Sequence, residues 1–264
     1  MSPLPVLMYH FLVDGQHPYQ FERAQRPYVL TADKFCEHLS CLHTAGYQTV
    51  SLSDYAAWRR GKSEIPPRPL IITFDDGHVS CHALAYEALL ARGMTATVFL
   101  TTERVGDSEY VTWEMVQQMA ANGMEFGSHG ASHRALTALS EDELETELAT
   151  SRAALGEHLP LPHAHFALPF GLANPHVIAG ALRHYETVCT SDFGINDLSR
   201  QPRQLKRIAV KHGPGADRLL QLLDRHSPVH WCAWTADLVK RPVKRLFLSQ
   251  AHRRGLIGTQ GLRG

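Results

Sequence analysis

Pro69-Leu70-Ile71-Ile72-Thr73-Phe74-Asp75-Asp76-Gly77-His78 places two adjacent carboxylates at the end of a continuously apolar or β-branched run. The run from Leu70 to Phe74 reads as a strand covered on both faces, as in a parallel sheet flanked by helices. Gly77 lets the chain reverse sharply straight after it. Along a strand Asp75 and Asp76 point to opposite faces, but a bend beside Gly77 can turn both toward one cavity. Two carboxylates that close repel each other, and in a poorly solvated site both stay ionised only if a cation or a shared proton relieves them. A metal is therefore implied before any ligand is sought. The plain alternative is an Asp-Asp-Gly turn closing a strand, with both acids in water.

The second stretch is Glu125-Phe126-Gly127-Ser128-His129-Gly130-Ala131-Ser132-His133-Arg134-Ala135-Leu136, where two imidazoles stand four positions apart just past another short strand. One turn of chain brings side chains at that spacing together. Two neutral imidazoles and one carboxylate make a three-ligand set that suits zinc or another first-row divalent metal and leaves positions open for water and substrate. With 17 His in the chain a chance pair is a real alternative. The Asp75-Asp76 pair upstream, at the end of a similar strand, weighs against it.

Length and composition fit one enzyme domain of barrel size, since 264 residues can bury a sizeable core. Lys plus Arg equals Asp plus Glu at 26 each, so no global field points to nucleic acid or an anionic membrane. The five cysteines, at 36, 41, 81, 189 and 232, are odd in number and form no C-x-x-C pair, which predicts reduced thiols rather than a disulfide framework. Met1-Ser2-Pro3-Leu4-Pro5 lacks a basic region and a long apolar run, so neither a signal peptide nor a membrane span is expected and the sequence as written reads as cytoplasmic.

In order, short apolar runs alternate with helical stretches. The segment 5–9 reads as a first strand ending at His10, whose imidazole either faces the site or serves as a hydrogen-bonded structural residue; a long polar loop follows to Arg26. Helices are expected over about 32–44, after a cap at Ser53, over 79–91 and over 112–121, with strands near 48–52 and 95–100. Ser140-Glu141-Asp142-Glu143 is a capping box that opens a helix with Leu144, Leu148 and Leu155 on its apolar stripe. A strand at 165–168, a helix opened by Asn174-Pro175, a strand at 187–190 and a short one at 207–210 extend the pattern. Repeated β-then-α units imply parallel strands joined by right-handed crossovers. An open doubly wound sheet and a barrel both satisfy that order, with functional groups at the carboxyl ends of the strands. Asp75, Asp76, His129 and Pro169 each follow a strand, and their convergence on one point favours a barrel.

Thr73-Phe74-Asp75-Asp76-Gly77 followed by Ser128-His129-x-x-Ser132-His133-x-x-Leu136 resembles the first two signature motifs of the polysaccharide deacetylase family, carbohydrate esterase family four. Leu7-Met8-Tyr9-His10, Gly46-Tyr47, Leu100-Thr101, Thr112-Trp113 and Phe166-Ala167-Leu168-Pro169-Phe170-Gly171 look like further landmarks, most like those of the branch that acts on poly-N-acetylglucosamine. The resemblance runs from about residue 4 to about 210. It implies an α/β fold, an irregular (β/α)7-type barrel of parallel strands with the metal at its top, and a catalytic domain over 1–223. Residues 224–264 form an extension that either completes the barrel or is partly disordered; its cationic stretch from Lys240, with Leu246-Phe247-Leu248, also suits a surface or partner-binding helix.

The resemblance further implies that Asp76, His129 and His133 hold a divalent metal, zinc first with cobalt, nickel or iron as other choices, while Asp75 is the base that activates water. The unligated acid keeps its lone pairs free for the proton, whereas the ligated one has its charge committed to the metal. Pro169 and Phe170 would wall the groove, the Phe170 N–H completing an oxyanion site, and Phe170 and Trp113 would stack on a sugar ring, though either ring also suits the core.

Two departures stand out. Many family members have Arg where Ala167 stands, and Arg207 is the candidate that supplies its charge or touches substrate. The Leu-x-His that carries the general acid is missing, and Val229-His230-Trp231, read as a strand, offers His230 in its place, with His212 and His226 behind it. The function expected is removal of acetyl from N-acetylated amino sugars in an oligo- or polysaccharide, with a carbohydrate substrate and no nucleic-acid partner. A cytoplasmic place sits awkwardly with a polymer usually met outside the cell, unless a signal has been lost. The rivals are hydrolysis of a small non-sugar amide or cyclic C–N bond, and a carbohydrate-binding protein with a relict site.

Overall fold

Parallel strands dominate the computed structural model, which describes residues 3–17, 19–160, 164–212 and 215–253, with side chains as far as residue 240. The barrel strands are β1 (Val6–Tyr9), β2 (Pro69–Phe74), β3 (Thr97–Leu100), β4 (Glu125–Ser128), β5 (His165–Ala167) and β6 (Thr187–Cys189), then β7 (Gln204–Leu205) and β8 (Ile208–Ala209). Their order across the sheet is β7-β6-β5-β4-β3-β2-β1-β8, and a two-residue strand, Gln48–Thr49, adds to β2 from the side. Leu205 pairs with Cys189 at one end of this path, and Ile208 pairs with Leu7 at the other. Only Lys206 and Arg207 separate those two pairings. The sheet therefore curls until a single passage of chain, 204–209, serves both ends. Counting that passage once gives the (β/α)7-type barrel that the family resemblance implied, and decides against the open doubly wound sheet that the β-then-α order also allowed.

The helices are α1 (Ala32–Thr44), α2 (Leu52–Arg59), α3 (Glu87–Leu90, entered through a π-helical turn at Cys81–Tyr86), α4 (Trp113–Ala121), α5 (Glu141–His158), α6 (Pro175–His184), α7 (Ala216–Leu223) and α8 (Pro228–Arg253). The Ser140–Glu143 capping box and the Asn174-Pro175 opening are both present. The cap of α2 falls two residues earlier than expected. Ser51 and Asp54 form the box there, and the strand at 48–52 shortens to Gln48–Thr49 because Leu52 already belongs to the helix. The Ser53 N–H donates instead to Glu125 Oε1 at 2.9 Å.

Every residue of β2 is buried, as its uninterrupted apolar run requires. Val6, Ile71, Phe99, Ala167, Cys189 and Leu205, one from each of six barrel positions, meet in an apolar cluster with Leu4, Leu52 and Tyr55. Gly127 is β4's contribution at that level. A Cβ there would lie 2.8 Å from the Phe99 ring and from the His165 carbonyl, so only glycine lets the Phe99 ring fill the space. A second, larger cluster packs Leu7, Leu70, Ile72, Phe74, Val98 and Leu100 against Phe35, Leu39, Leu89 and Val116 of the surrounding helices. The five cysteines are all free thiols.

Beyond Ala209 the chain adds helices and no further strand to the sheet among the described residues. Val229-His230-Trp231 lies on α8, not on a strand. Ser227 explains the difference: its Oγ accepts the Val229 N–H at 3.1 Å, and Pro228 occupies the first helical position.

Candidate active site

The carboxyl ends of β2 and β4 put their terminal side chains at one rim of the barrel. Asp75 and Asp76 follow β2, and the two resolve onto different partners as the backbone turns. Asp76 takes a left-handed conformation, φ 73°, and Gly77 follows at φ 79°. That turn aims Asp76 Oδ1 at His129 Nε2, 3.3 Å away, and at His133 Nε2, 3.2 Å away. The three ligand atoms lie within 4.8 Å of one another. Asp76, His133 and Phe170 are three of the four non-glycine residues with positive φ among the described residues. Such backbone is uphill by about 1–3 kcal/mol each and persists where function holds it in place.

His129 is prepared as a ligand. Its Nδ1 lies 2.9 Å from the Ala167 carbonyl, which can only accept, so Nδ1 carries the proton and Nε2 keeps a free lone pair facing Asp76. The loop bearing His133 is held by Glu147, a buried acid on α5 that accepts the Ser132 N–H at 2.7 Å and the Ser132 hydroxyl at 2.9 Å. Burial pushes the Asp76 carboxyl up, but the two imidazoles, which donate to it from Nε2 when protonated, outweigh it and leave the group well below the ordinary carboxylate range. Two imidazole nitrogens and one oxygen, pre-pointed at a common centre, fit a divalent metal.

Asp75 faces the barrel interior and is gripped by Arg207. The guanidinium donates from Nη1 to Oδ1 at 2.6 Å and from Nη2 to Oδ2 at 2.7 Å, while Nε donates to the Thr190 carbonyl at 2.9 Å. Burial would raise the Asp75 carboxyl; the Arg207 charge, His129 and the Arg207 hydrogen bonds outweigh it, so the net shift is downward. Arg207 thus supplies the positive charge that the Ala167 position lacks. Its side chain is fully buried, donating to Asp75, Thr190 and the Thr73 hydroxyl, which places it as a partner of Asp75 and not on a surface that a substrate would meet.

His10 also belongs to this rim. Tyr9 pairs with Phe74 and accepts the Asp75 N–H at 3.0 Å, so the next residue, His10, stands beside Asp75. Its ring packs on Tyr28 at 4.4 Å, and its Nδ1 is buried without a hydrogen-bond partner among the described residues. Burial lowers its proton affinity below the ordinary imidazole value, partly offset by the charges of Asp75 and Asp76.

Phe170, at φ 58°, brings its ring to 4.6 Å from the His133 ring, and Pro169 before it is buried. Trp113 and His230 are not part of the group. The Trp113 ring stacks on His158 at 4.0 Å with planes 14° apart and packs partly buried against the helix-side core. His230 turns Nδ1 to the Leu222 carbonyl at 2.7 Å and its ring to Phe193 at 5.0 Å. Sequence reasoning did not single out Glu147, on the helix opened by the Ser140 capping box, and marked His10 only by its place at the end of the first strand and within the Leu7–His10 landmark.

Residues 62–187 match the family model described as polysaccharide deacetylase. Over 213 residues the chain is 26% identical to the putative polysaccharide deacetylase YxkH of Bacillus subtilis (strain 168), covering 80% of this chain and 73% of that protein. Its fold is similar to that of the Streptococcus pyogenes deacetylase PplD, solved in complex with acetate, at TM-score 0.74 and 23% identity over 84% of this chain and 98% of that one. It is likewise similar to BC0361, a polysaccharide deacetylase from Bacillus cereus, at TM-score 0.73 and 21% identity over 84% of this chain and 69% of that one.

Proposed function

We propose that this chain, whose residues 62–187 match the polysaccharide deacetylase family model, is a metal-dependent hydrolase that removes acetyl groups from N-acetylated amino sugars in an oligo- or polysaccharide, most like the poly-N-acetylglucosamine branch. Asp76, His129 and His133 would hold the cation, with zinc the first choice for such a donor set and cobalt, nickel or iron the others. Once bound, a divalent cation there acidifies water and polarises the acetyl carbonyl oxygen.

The remaining work falls to the chain's own side chains. Asp75, kept ionised and fixed in direction by Arg207, takes the proton from the attacking water. Its neighbour cannot share that role, because the Asp76 lone pairs face the two imidazoles. The backbone N–H of Phe170 is the candidate donor to the developing oxyanion, and the Phe170 ring walls the site beside His133. His10 replaces His230 as the general acid: it stands next to Asp75, its Nδ1 is unengaged, and a weakly held proton suits transfer to the departing amine.

The observation that carries this reading is the division of labour between adjacent acids, Asp75 on Arg207 and Asp76 on two imidazoles. The test is acetate release from N-acetylglucosamine oligomers by wild type and by Asp75→Asn, with metal content measured in both. Turnover lost with metal retained supports the proposal. Turnover of ureides or imides in place of the oligomers would replace it with the small-amide reading, and sugar binding without turnover in any metal form would leave only a binding protein.

A further inference from the structure

The zero net charge of this chain conceals a segregation. Lys240, Arg241, Lys244, Arg245, Arg253, Arg254 and Arg263, seven of its 26 cationic residues, lie in 238–264, where none of its 26 acidic residues falls. At neutral pH that stretch carries a formal +7, and the remainder carries −7. Helix α8 runs into it. One side of α8 is fastened to the barrel: His230 meets the Leu222 carbonyl at 2.7 Å, and the Asp237 carboxylate accepts the Phe193 N–H at 3.1 Å. The side turned to solvent is apolar. Trp231 is 55% exposed, Leu238 41% and Val239 75%, and the only other large apolar side chain so exposed among the described residues is Leu90. Downstream, Val243, Leu246, Phe247 and Leu248 are interleaved with the cations.

Cations alone would suit any polyanion, and a single strand could stack on Trp231, but exposed leucine and valine on the same helix offer a nucleic acid nothing. A lipid surface uses both. A helix that combines an apolar face with Lys and Arg lies in the plane of an anionic bilayer, the apolar side chains entering the headgroup region and the cations meeting lipid phosphates. No helix among the described residues is long and apolar enough to cross a membrane, so α8 would rest on the bilayer and not span it. We propose that α8 docks this protein onto the surface of an anionic lipid bilayer. The acidic remainder is repelled by the same surface, which fixes the orientation with α8 toward the lipid. Because α8 also approaches Leu136–Ala138, the turn just after His133, the docked molecule carries the rim of the Asp76 site close to the bilayer.

The test is co-sedimentation of the full chain with phosphatidylcholine vesicles and with vesicles of phosphatidylcholine mixed with phosphatidylglycerol. Binding is expected to be at least about tenfold stronger on the anionic vesicles and to weaken as salt is added. Two full-length variants separate the contributions. The charge reversal of Lys240→Glu, Arg241→Glu, Lys244→Glu and Arg245→Glu, and the apolar pair Trp231→Ser with Val239→Ser, should each lower binding by about tenfold or more. Trp231 and Val239 are exposed, so the second variant keeps its fold and remains decisive if the first does not. Equal binding to both vesicle types, or none to either, overturns the proposal. So does binding that survives loss of Trp231 and Val239 but is competed away by a single-stranded oligonucleotide, which would mark a polyanion site.

Discussion

Arg207 holds Asp75 through both carboxylate oxygens, at 2.6 and 2.7 Å, across 132 residues of sequence. Neither group meets solvent to any extent, so each is the other's compensation for lost hydration. Removing one partner of such a pair leaves a buried charge unpaired at a cost of about 3–5 kcal/mol. Arg207→Ala is therefore expected to lower the unfolding free energy by about that amount in a denaturant titration, and Asp75→Asn, which leaves the guanidinium charge buried and turns an amide NH2 toward one of its donors, should cost a similar amount.

The same pair should set the acid limit of the proposed activity. The downward shift of the Asp75 carboxyl keeps the base ionised at lower pH than an ordinary aspartate would be. Arg207→Lys retains a charge but loses the two-pronged geometry. The acid limb of kcat/KM against pH should then move to higher pH; a limb that stays in place would show that Arg207 does not govern the base.

Metal retention should report on the loop that carries His133. His133→Ala removes a ligand, and Glu147→Ala removes the acceptor that fixes Ser132 beside it. Outer partners of metal ligands are worth about 10–100-fold in affinity, so Glu147→Ala should fall in that range and His133→Ala beyond it. Competition with a chromogenic chelator measures both without recourse to activity.

His10→Asn should slow amide hydrolysis by roughly a hundred- to ten-thousandfold if His10 protonates the departing amine. An activated acetyl ester, whose leaving group needs no proton, should lose far less. Equal losses on the two substrates would remove His10 from that role.

Stability should fall on acidification through a residue outside the site. His165 is buried, and burial pushes its imidazole below the ordinary value, with Glu125 pulling partly back. The unfolded chain takes up this proton near pH 6.5 while the folded chain does not. Below that pH the unfolded state binds more protons, so stability rises with pH by up to about 1.4 kcal/mol per unit. Thermal midpoints measured between pH 7.5 and 5.5 should decline, and less steeply in His165→Gln.

Much of the site was legible because its signals are local. Leu70–Phe74 can only be a buried strand, Asp75-Asp76-Gly77 needs a bend, and two imidazoles four apart share a side. The convergence of strand ends favoured a barrel over an open sheet, and the seven-stranded form came from the family resemblance of the motifs. What the sequence did not disclose depends on distance. Arg207 was visible as a stray cation, but its role is fixed by a sheet closure that no window of residues contains. Trp113 had the chemistry of a sugar platform, and only packing reveals His158 on its face. His230 was misplaced for a local reason: the β-branched and aromatic flanks outweighed the Ser227-Pro228 helix start in the reading.

Lys206 and Arg207 sit where the first and last members of the sheet are stitched together. A polypeptide that has gathered its helices and most of its strands but has not yet made that stitch has no guanidinium beside Asp75 and so no ordered base. Competence and completion of folding thus arrive in one event. In a molecule that has not closed its sheet, the proposed base therefore lacks the partner that orders it.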